Sequence, residues 1–233
     1  MLSFFANVLQ GRTPSNYILA HDQSNETGGG EEQSQTQTAK LYEIESRNHK
    51  KVRILDTPGL GDTRGIEQDA QHKKTIAKAI KKLIPTVDAV IILANGTVPR
   101  LNVATEYALG SRASMFRGTL SQSIAILFTN VQHRLARNFK EDSLPESLRG
   151  DNYHPFWVNN PVALWKKYEQ MRAAGNASGE MEELIRKSHE RAIEELVGCF
   201  DWLDSLEPQS TRSISNTAAR KCKFMPENLI YLC

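Results

Sequence analysis

Hydrophobic and polar residues follow two rhythms along this chain, and together they predict strands that alternate with helices. Short apolar or alternating runs predict β-strands at 40–46, 51–57, 87–95, 122–131 and 154–160. Apolar residues that recur every three or four positions predict helices at 2–11, 65–84, 102–116, 161–172 and 180–206. The first two strands are separated by a short polar turn, which predicts an antiparallel hairpin. The continuous apolar runs predict buried parallel strands.

This order of elements favours an α/β fold with three layers. The expected architecture is a mostly parallel sheet with one antiparallel edge strand and helices on both faces. Ligands of such sheets bind at the carboxyl ends of the strands. The candidate functional residues are therefore those that directly follow the predicted strands, at 56–59, 95–96, 129–131 and 159–160.

The stretch RILDTPGLGDTRG, residues 53–65, places a carboxylate at such a strand end. A carboxylate in this position can hold Mg²⁺ through a water molecule, as in sites that handle phosphates. A glycine three residues later can offer its backbone N–H to a terminal phosphate without a side chain in the way. Asp56 and Gly59 have this spacing. The alternative is an ordinary turn from a strand into a helix, in which all of these residue types are common.

Composition narrows the functional classes. The 233 residues are 39% hydrophobic and 24% charged, with a formal net charge of +2, so the chain has no nucleic-acid-binding signature. No apolar run reaches the roughly 18 residues of a membrane span, which argues against a membrane protein. The three cysteines lack the spacing of a zinc site or a disulfide framework, and this favours a cytoplasmic location.

Several of these segments resemble P-loop GTPases. LDTPGLGDTRG resembles their switch II segment, and it is most similar to the septin-like and avirulence-induced, immunity-associated GTPases and their fungal relatives. SQTQT resembles switch I, with Thr36 at the magnesium-binding position. ILFTNV resembles the strand before the guanine-reading loop, and WVNN resembles a second loop that contacts the base. The resemblance covers residues 1 to 216 or so.

The resemblance implies a domain that binds GTP or GDP with Mg²⁺ and acts as a slow nucleotide-dependent switch. Thr36 would bind Mg²⁺ directly, Asp56 would bind it through water, and Gly59 would sense the γ-phosphate. No residue is singled out as catalytic. Thr36 is alternatively part of a solvated linker. The resemblance leaves two macromolecular partners open, a second copy of the chain and an effector protein.

Three asparagines would contact the base under this interpretation: Asn130, Asn159 and Asn160. Each has an alternative structural role, because Asn130 suits a turn and Asn159 and Asn160 precede a proline at a predicted helix start. The segment TNVQHR also lacks the aspartate that reads guanine in most GTPases. Its absence leaves guanine specificity open.

A P-loop, G-x-x-x-x-G-K-[ST], is not found in the sequence. The nearest approach, Ala6–Thr13, overlaps the first predicted helix. The resemblance implies a G-like domain over 1–206 that starts just after the P-loop position, and a tail over 207–233. It then predicts a gap in the sheet between the strand that carries Asp56 and the strand that starts at Val87. The alternative function is a degenerate, non-catalytic remnant that serves as a protein-interaction module.

Overall fold

The fold is an α/β arrangement built on a six-stranded mixed sheet. A computed structural model describes residues 1–25, 38–57, 84–99, 123–144, 146, 149, 153–210 and 228–232. The helices predicted at 65–84 and 102–116 lie largely outside these ranges. Among the described residues, no helix is long and apolar enough to cross a membrane.

Most of the described elements match the hydrophobic pattern within two residues. The helices are α1 (Leu2–Leu9), α2 (Pro161–Ala173) and α3 (Gly179–Asp204), with short 3₁₀ turns at Pro14–Asn16, Gln23–Asn25, Arg134–Ala136 and Glu141–Ser143. The strands are β1 (Lys40–Glu45), β2 (Lys51–Asp56), β3 (Thr86–Val87), β4 (Ala89–Asn95), β5 (Ile124–Thr129), β6 (His154–Val158), β7 (Gln209–Ser210) and β8 (Asn228–Leu232).

The sheet has the strand order β1-β2-β8-β4-β5-β6. β1 pairs antiparallel with β2, which confirms the predicted hairpin and the antiparallel edge. The other neighbouring pairs, from β2 across to β6, are all parallel. β3 and β7 form a separate two-stranded antiparallel pair. The carboxyl ends of five strands therefore meet at one edge.

Both faces of the sheet are buried. β5 illustrates the reason, because Ile126 and Phe128 pack into one apolar cluster while Leu127 packs into the other. The second cluster lies beneath α1 and α3, where Phe5 meets Phe200 edge to face with ring centroids 5.9 Å apart. Side chains that alternate between two covered faces explain why this strand reads as a continuous apolar run.

The predicted gap next to β2 is wrong, because β8 fills it. The resemblance implies only a tail over 207–233, yet β8 lies at the centre of the sheet. The ladder opposite β2 runs from Val52 and Asn228 to Asp56 and Leu232. β8 has only five residues, too few for their hydrophobic pattern to predict a strand at the centre of the sheet.

Candidate functional site

The carboxyl edge of the sheet is stepped. Asp56 ends β2 level with Leu232 of β8, and Leu232 is level with Ile91 of β4. β4 continues to Asn95, four residues or about 13 Å farther at the usual rise of a strand. The ends of β2 and β8 therefore lie lower than those of β4 and β5. The region outside the carboxyl ends of the strands is where α/β sheets bind ligands.

Asp56 lies at the lower level of this step, at the end of β2. Val52 and Ile54 of the same strand pack into the cluster beneath α1, and alternation places the Asp56 side chain on that same face. Asp56 is half-buried. Burial lowers the pKa of the Met1 amino group, and the charge of Asp56 raises that pKa by a smaller amount. Asp56 thus lies near the amino end of α1, where the helix dipole favours negative charge.

The described residues on either side of the segment that contains Thr36 are hydrogen-bonded to each other, and β1 pairs with β2 next to Asp56. Thr36 and Gly59 themselves lie outside the described residues, but the described chain resumes at Thr38, and Lys40 pairs directly with Asp56 in the β1–β2 ladder. Asn25 and Thr38 bracket the intervening residues, since the Asn25 Oδ1 accepts hydrogen bonds from the Thr38 backbone N–H at 3.2 Å and its hydroxyl at 2.7 Å. Thr38 therefore leads into Lys40, which lies beside Asp56, and the place of Thr36 in the site stays a prediction.

Sequence reasoning missed an ion pair that links β1 to the residues before residue 26. Lys40 donates to the Asp22 carboxylate, and this hydrogen bond lowers the pKa of Asp22 to about 2. Asp22 also accepts from the Ser24 hydroxyl at 2.7 Å. The two residues are 18 positions apart. No short-range pattern links them, so only the tertiary structure reveals the contact.

The loops that follow β4 and β5 pack tightly against each other. The Gly96 N–H donates to the Thr129 carbonyl at 2.9 Å. A Cβ on Gly96 would lie 2.7 Å from Cγ2 of Val131, so the glycine permits the close approach. Asn130 is exposed between them and has φ of 62°, a left-handed conformation that asparagine tolerates better than most residues. Its alternative role as a turn residue is therefore confirmed, and its contact with a base stays a prediction.

The asparagine pair after β6 begins α2. The Asn160 Oδ1 accepts a hydrogen bond from the Val162 N–H at 3.2 Å, and Pro161 occupies the first helical position. This confirms the capping alternative for Asn160. Asn159 is half-buried and directly follows β6. No described contact decides whether either residue reaches a ligand.

The structure brings some of the predicted residues together and spreads others along the edge. Thr129 pairs with Val158, so Asn130 and Asn159 follow neighbouring strands. Asp56 lies on β2, three strand spacings from β5, which is about 14 Å. The edge therefore holds a carboxylate on one side and a pair of amides on the other.

A buried arginine supports the loop that carries Asn130. Arg137 donates at 2.7 Å to the Tyr153 hydroxyl and at 2.7 Å to the Glu141 carboxylate, and its guanidinium lies 5.3 Å from the centre of the Phe128 ring. The Arg137 side chain is only 10% exposed. Burial raises the pKa of Tyr153 to about 12, so its hydroxyl stays protonated near neutral pH. Sequence reasoning missed this cluster, because these four residues come together only through the fold.

Among the residues that the structure describes, no three His, Cys, Asp or Glu side chains converge as a metal centre would require. Magnesium beside a phosphate needs fewer protein ligands, because it binds one or two carboxylates together with phosphate oxygens and water. Asp56 fits the carboxylate role by its chemistry and by its place at the strand end.

A separate cavity of about 450 Å³ lies at the opposite, amino edge of the sheet. Its wall is apolar and includes Leu9, Phe200 and Leu203, and its rim includes Arg47 and Lys50. Arg47 is held there because its backbone N–H donates to the Leu9 carbonyl at 2.8 Å. The volume suits a small molecule. Its lining nevertheless shares no residue with the predicted nucleotide site.

Comparison with known protein families finds no family model that matches this chain. Comparison with curated proteins likewise finds no match. The geometry of the site therefore carries the functional argument.

Proposed function

We propose that this chain binds a guanine nucleotide with Mg²⁺ at the carboxyl edge of its sheet, in a P-loop-type G domain, and acts as a slow nucleotide-dependent switch. The observation that carries the proposal is the position of Asp56. It is a half-buried carboxylate that ends a parallel strand at the foot of a step in the sheet edge.

The distribution of groups along the edge suits the two ends of a nucleotide. The carboxylate side would take the Mg²⁺ and phosphates, and the side of Asn130 and Asn159 would take the base, about 14 Å away across the sheet and about 13 Å farther along the strands. Gly59 follows Asp56 by three residues and would offer its N–H to the γ-phosphate. The packed loops after β4 and β5 would hold the base side rigid.

The magnesium would supply the charge that phosphate binding needs. Asp56 would hold it through a water molecule and Thr36 would bind it directly, each in the role that its residue type suits. Phosphoryl transfer depends mostly on positioning and charge stabilisation.

A non-catalytic interaction module is the second candidate. Its support is that α3 exposes two large apolar side chains, with Leu184 60% and Val197 48% exposed. Scattered exposed apolar residues are common on protein surfaces. The argument from Asp56 is therefore the stronger one.

Fluorescent GTP titration with Mg²⁺ tests the proposal. We expect Asp56→Ala to weaken binding at least about tenfold, since hydrogen bonds to charged groups contribute about 1.5–3 kcal/mol. Asp201→Ala, an exposed carboxylate on α3, is the matched control and should bind like the wild type. Competition by ATP reports base specificity, which the missing aspartate leaves open, and competition by GDP reports the contribution of the γ-phosphate.

The outcomes separate the two candidate functions. Equal binding by wild type and Asp56→Ala would contradict the role of Asp56. If neither protein binds any nucleotide while both remain folded, the interaction module becomes the better account. Removal of Mg²⁺ with a chelator should lower wild-type affinity by a larger factor than it lowers the residual affinity of Asp56→Ala.

A further inference from the structure

The two halves of the sheet are joined by a strand from the far end of the chain. β8 pairs with residues 52–56 of β2 on one side and with Ala89–Ile91 of β4 on the other. In the described sheet, β2 and β4 are not neighbours of each other. Without β8, the described strands would divide into β1–β2 and β4–β5–β6, with two strand edges facing each other.

The position between these edges has to be filled. Ile54 and Leu55 on one side and Val90 and Ile91 on the other are fully buried. Buried backbone N–H and C=O groups need hydrogen-bond partners, and an unpaired edge at this depth is costly. The segment Leu229–Leu232 reads LIYL, an apolar run of the kind that parallel strands covered on both faces use.

We propose that the space between β2 and β4 is a strand-binding site, that residues 228–232 occupy it, and that its occupancy holds Asp56 in place. Both ladders of β8 are parallel, so no tight turn links β8 to either neighbour. The site would therefore recognise residues 228–232 through the backbone hydrogen bonds of the two ladders and through their apolar sequence. Asp56 pairs with Leu232 at the end of the ladder, so its backbone position depends on the filled site.

A strand of the same sequence supplied from outside should bind only when the resident strand is disabled. A tethered strand competes at an effective concentration of about millimolar, which keeps a free peptide out of the wild-type protein. Proline at Ile230 removes a ladder N–H in the middle of β8. Asn228→Pro is the matched control, because the first residue of a strand tolerates proline.

The experiment uses the 233-residue chain and a fluorescein-labelled peptide of residues 226–232. We expect the peptide to bind Ile230→Pro, to raise its melting temperature, and to leave wild type and Asn228→Pro unaffected. A scrambled peptide of the same composition should do neither. If Ile230→Pro melts like the wild type and ignores the peptide, the proposal is wrong.

Hydrogen exchange on the wild-type chain tests the same proposal if Ile230→Pro fails to fold. The amides of 228–232 should exchange about 1000-fold more slowly than in the free peptide, comparably to those of β5, because a central strand opens only with most of the domain. Exchange at the free-peptide rate would overturn the strand-binding site.

The last clause of the proposal rests on the proposed function, and the readouts keep the two apart. Restoration of Mg²⁺–nucleotide binding by the peptide supports both ideas. Restored stability with no nucleotide binding in any variant, the wild type included, supports the strand-binding site and contradicts the nucleotide. Wild-type nucleotide binding that Ile230→Pro retains in full without peptide contradicts the link between β8 and Asp56.

Discussion

The two halves of the sheet are built by different means. In the β4–β5–β6 half, the strands follow one another along the chain, and Val90–Asn95 pair in register with Ile124–Thr129. In the other half, the β1–β2 hairpin meets β8, so that Val52 pairs with Asn228. Continuous apolar runs predict β4 and β5 of the first half, whereas β8, which pairs with β2 in the other half, has an apolar run of only four residues.

This contrast shows that a strand and its neighbour are determined by different properties. Whether a segment is a strand follows from a pattern over a few residues. Which segment pairs with it follows from which backbone edges remain unsatisfied when the core closes. The two sides of the carboxyl edge differ in the same way. Asp56 lies in the half that β8 completes, and Asn130 lies in the half whose strands follow one another along the chain.

The largest expected effect tests whether both halves form one cooperative unit. Leu127→Ala in β5 and Ile54→Ala in β2 each truncate a fully buried side chain of the cluster beneath α1 and α3. Each should lower the free energy of unfolding by about 2–5 kcal/mol, because the removed atoms leave a cavity. Urea denaturation followed by circular dichroism and by tryptophan fluorescence measures both the loss and the cooperativity.

Leu135→Ala is the control for this pair, since Leu135 is 90% exposed and its truncation should change stability by less than about 0.5 kcal/mol. Two separate transitions, with Ile54→Ala affecting only one of them, would show that the halves unfold independently. A single transition shifted similarly by both variants would show one unit.

A smaller effect concerns the loops on the base side of the edge. Gly96→Ala places a Cβ 2.7 Å from Cγ2 of Val131 and should destabilise by about 1–3 kcal/mol through overpacking. Val131→Ala in the same molecule should recover part of the loss by making room. Differential scanning calorimetry of the single and double variants measures both changes.

Gly198→Ala is the opposite case for the same substitution. Gly198 lies in α3, and a Cβ there meets nothing within 4 Å, so alanine should stabilise the helix by about 0.5–1 kcal/mol. If Gly96→Ala also stabilised the protein, the two loops would not be packed as described.

The smallest expected effect separates capping from ligand contact at the end of β6. Asn160→Ala removes the cap of α2 and should cost about 1 kcal/mol, while Asn160→Ser keeps a capping oxygen and should cost less. Thermal denaturation checks this order. A lower nucleotide affinity in Asn159→Ala, with unchanged stability, would show that Asn159 contacts the base. An unchanged affinity would show that its role is structural.

Sequence reasoning reached most of the described elements and the carboxylate at the end of β2. It identified the strand before Asn130 and the capping alternative for Asn160, because apolar runs and Asn-Pro pairs are local signals. It missed the Asp22–Lys40 pair and the Arg137 cluster, whose members meet only across the fold. Its predictions for Thr36 and Gly59 stand as predictions.

The amino-acid sequence by itself determined the alternation of strands and helices, the hairpin, and the ends of β1, β2, β4, β5 and β6 to within two residues, since each follows from side chains a few positions apart. Only the tertiary structure decided that residues 228–232 complete the sheet, and that Asp56 therefore ends a strand flanked on both sides. The physical reason is that backbone hydrogen bonds between strands carry no record in the side-chain pattern. Their partners are selected when the buried edges of the whole sheet are satisfied at once.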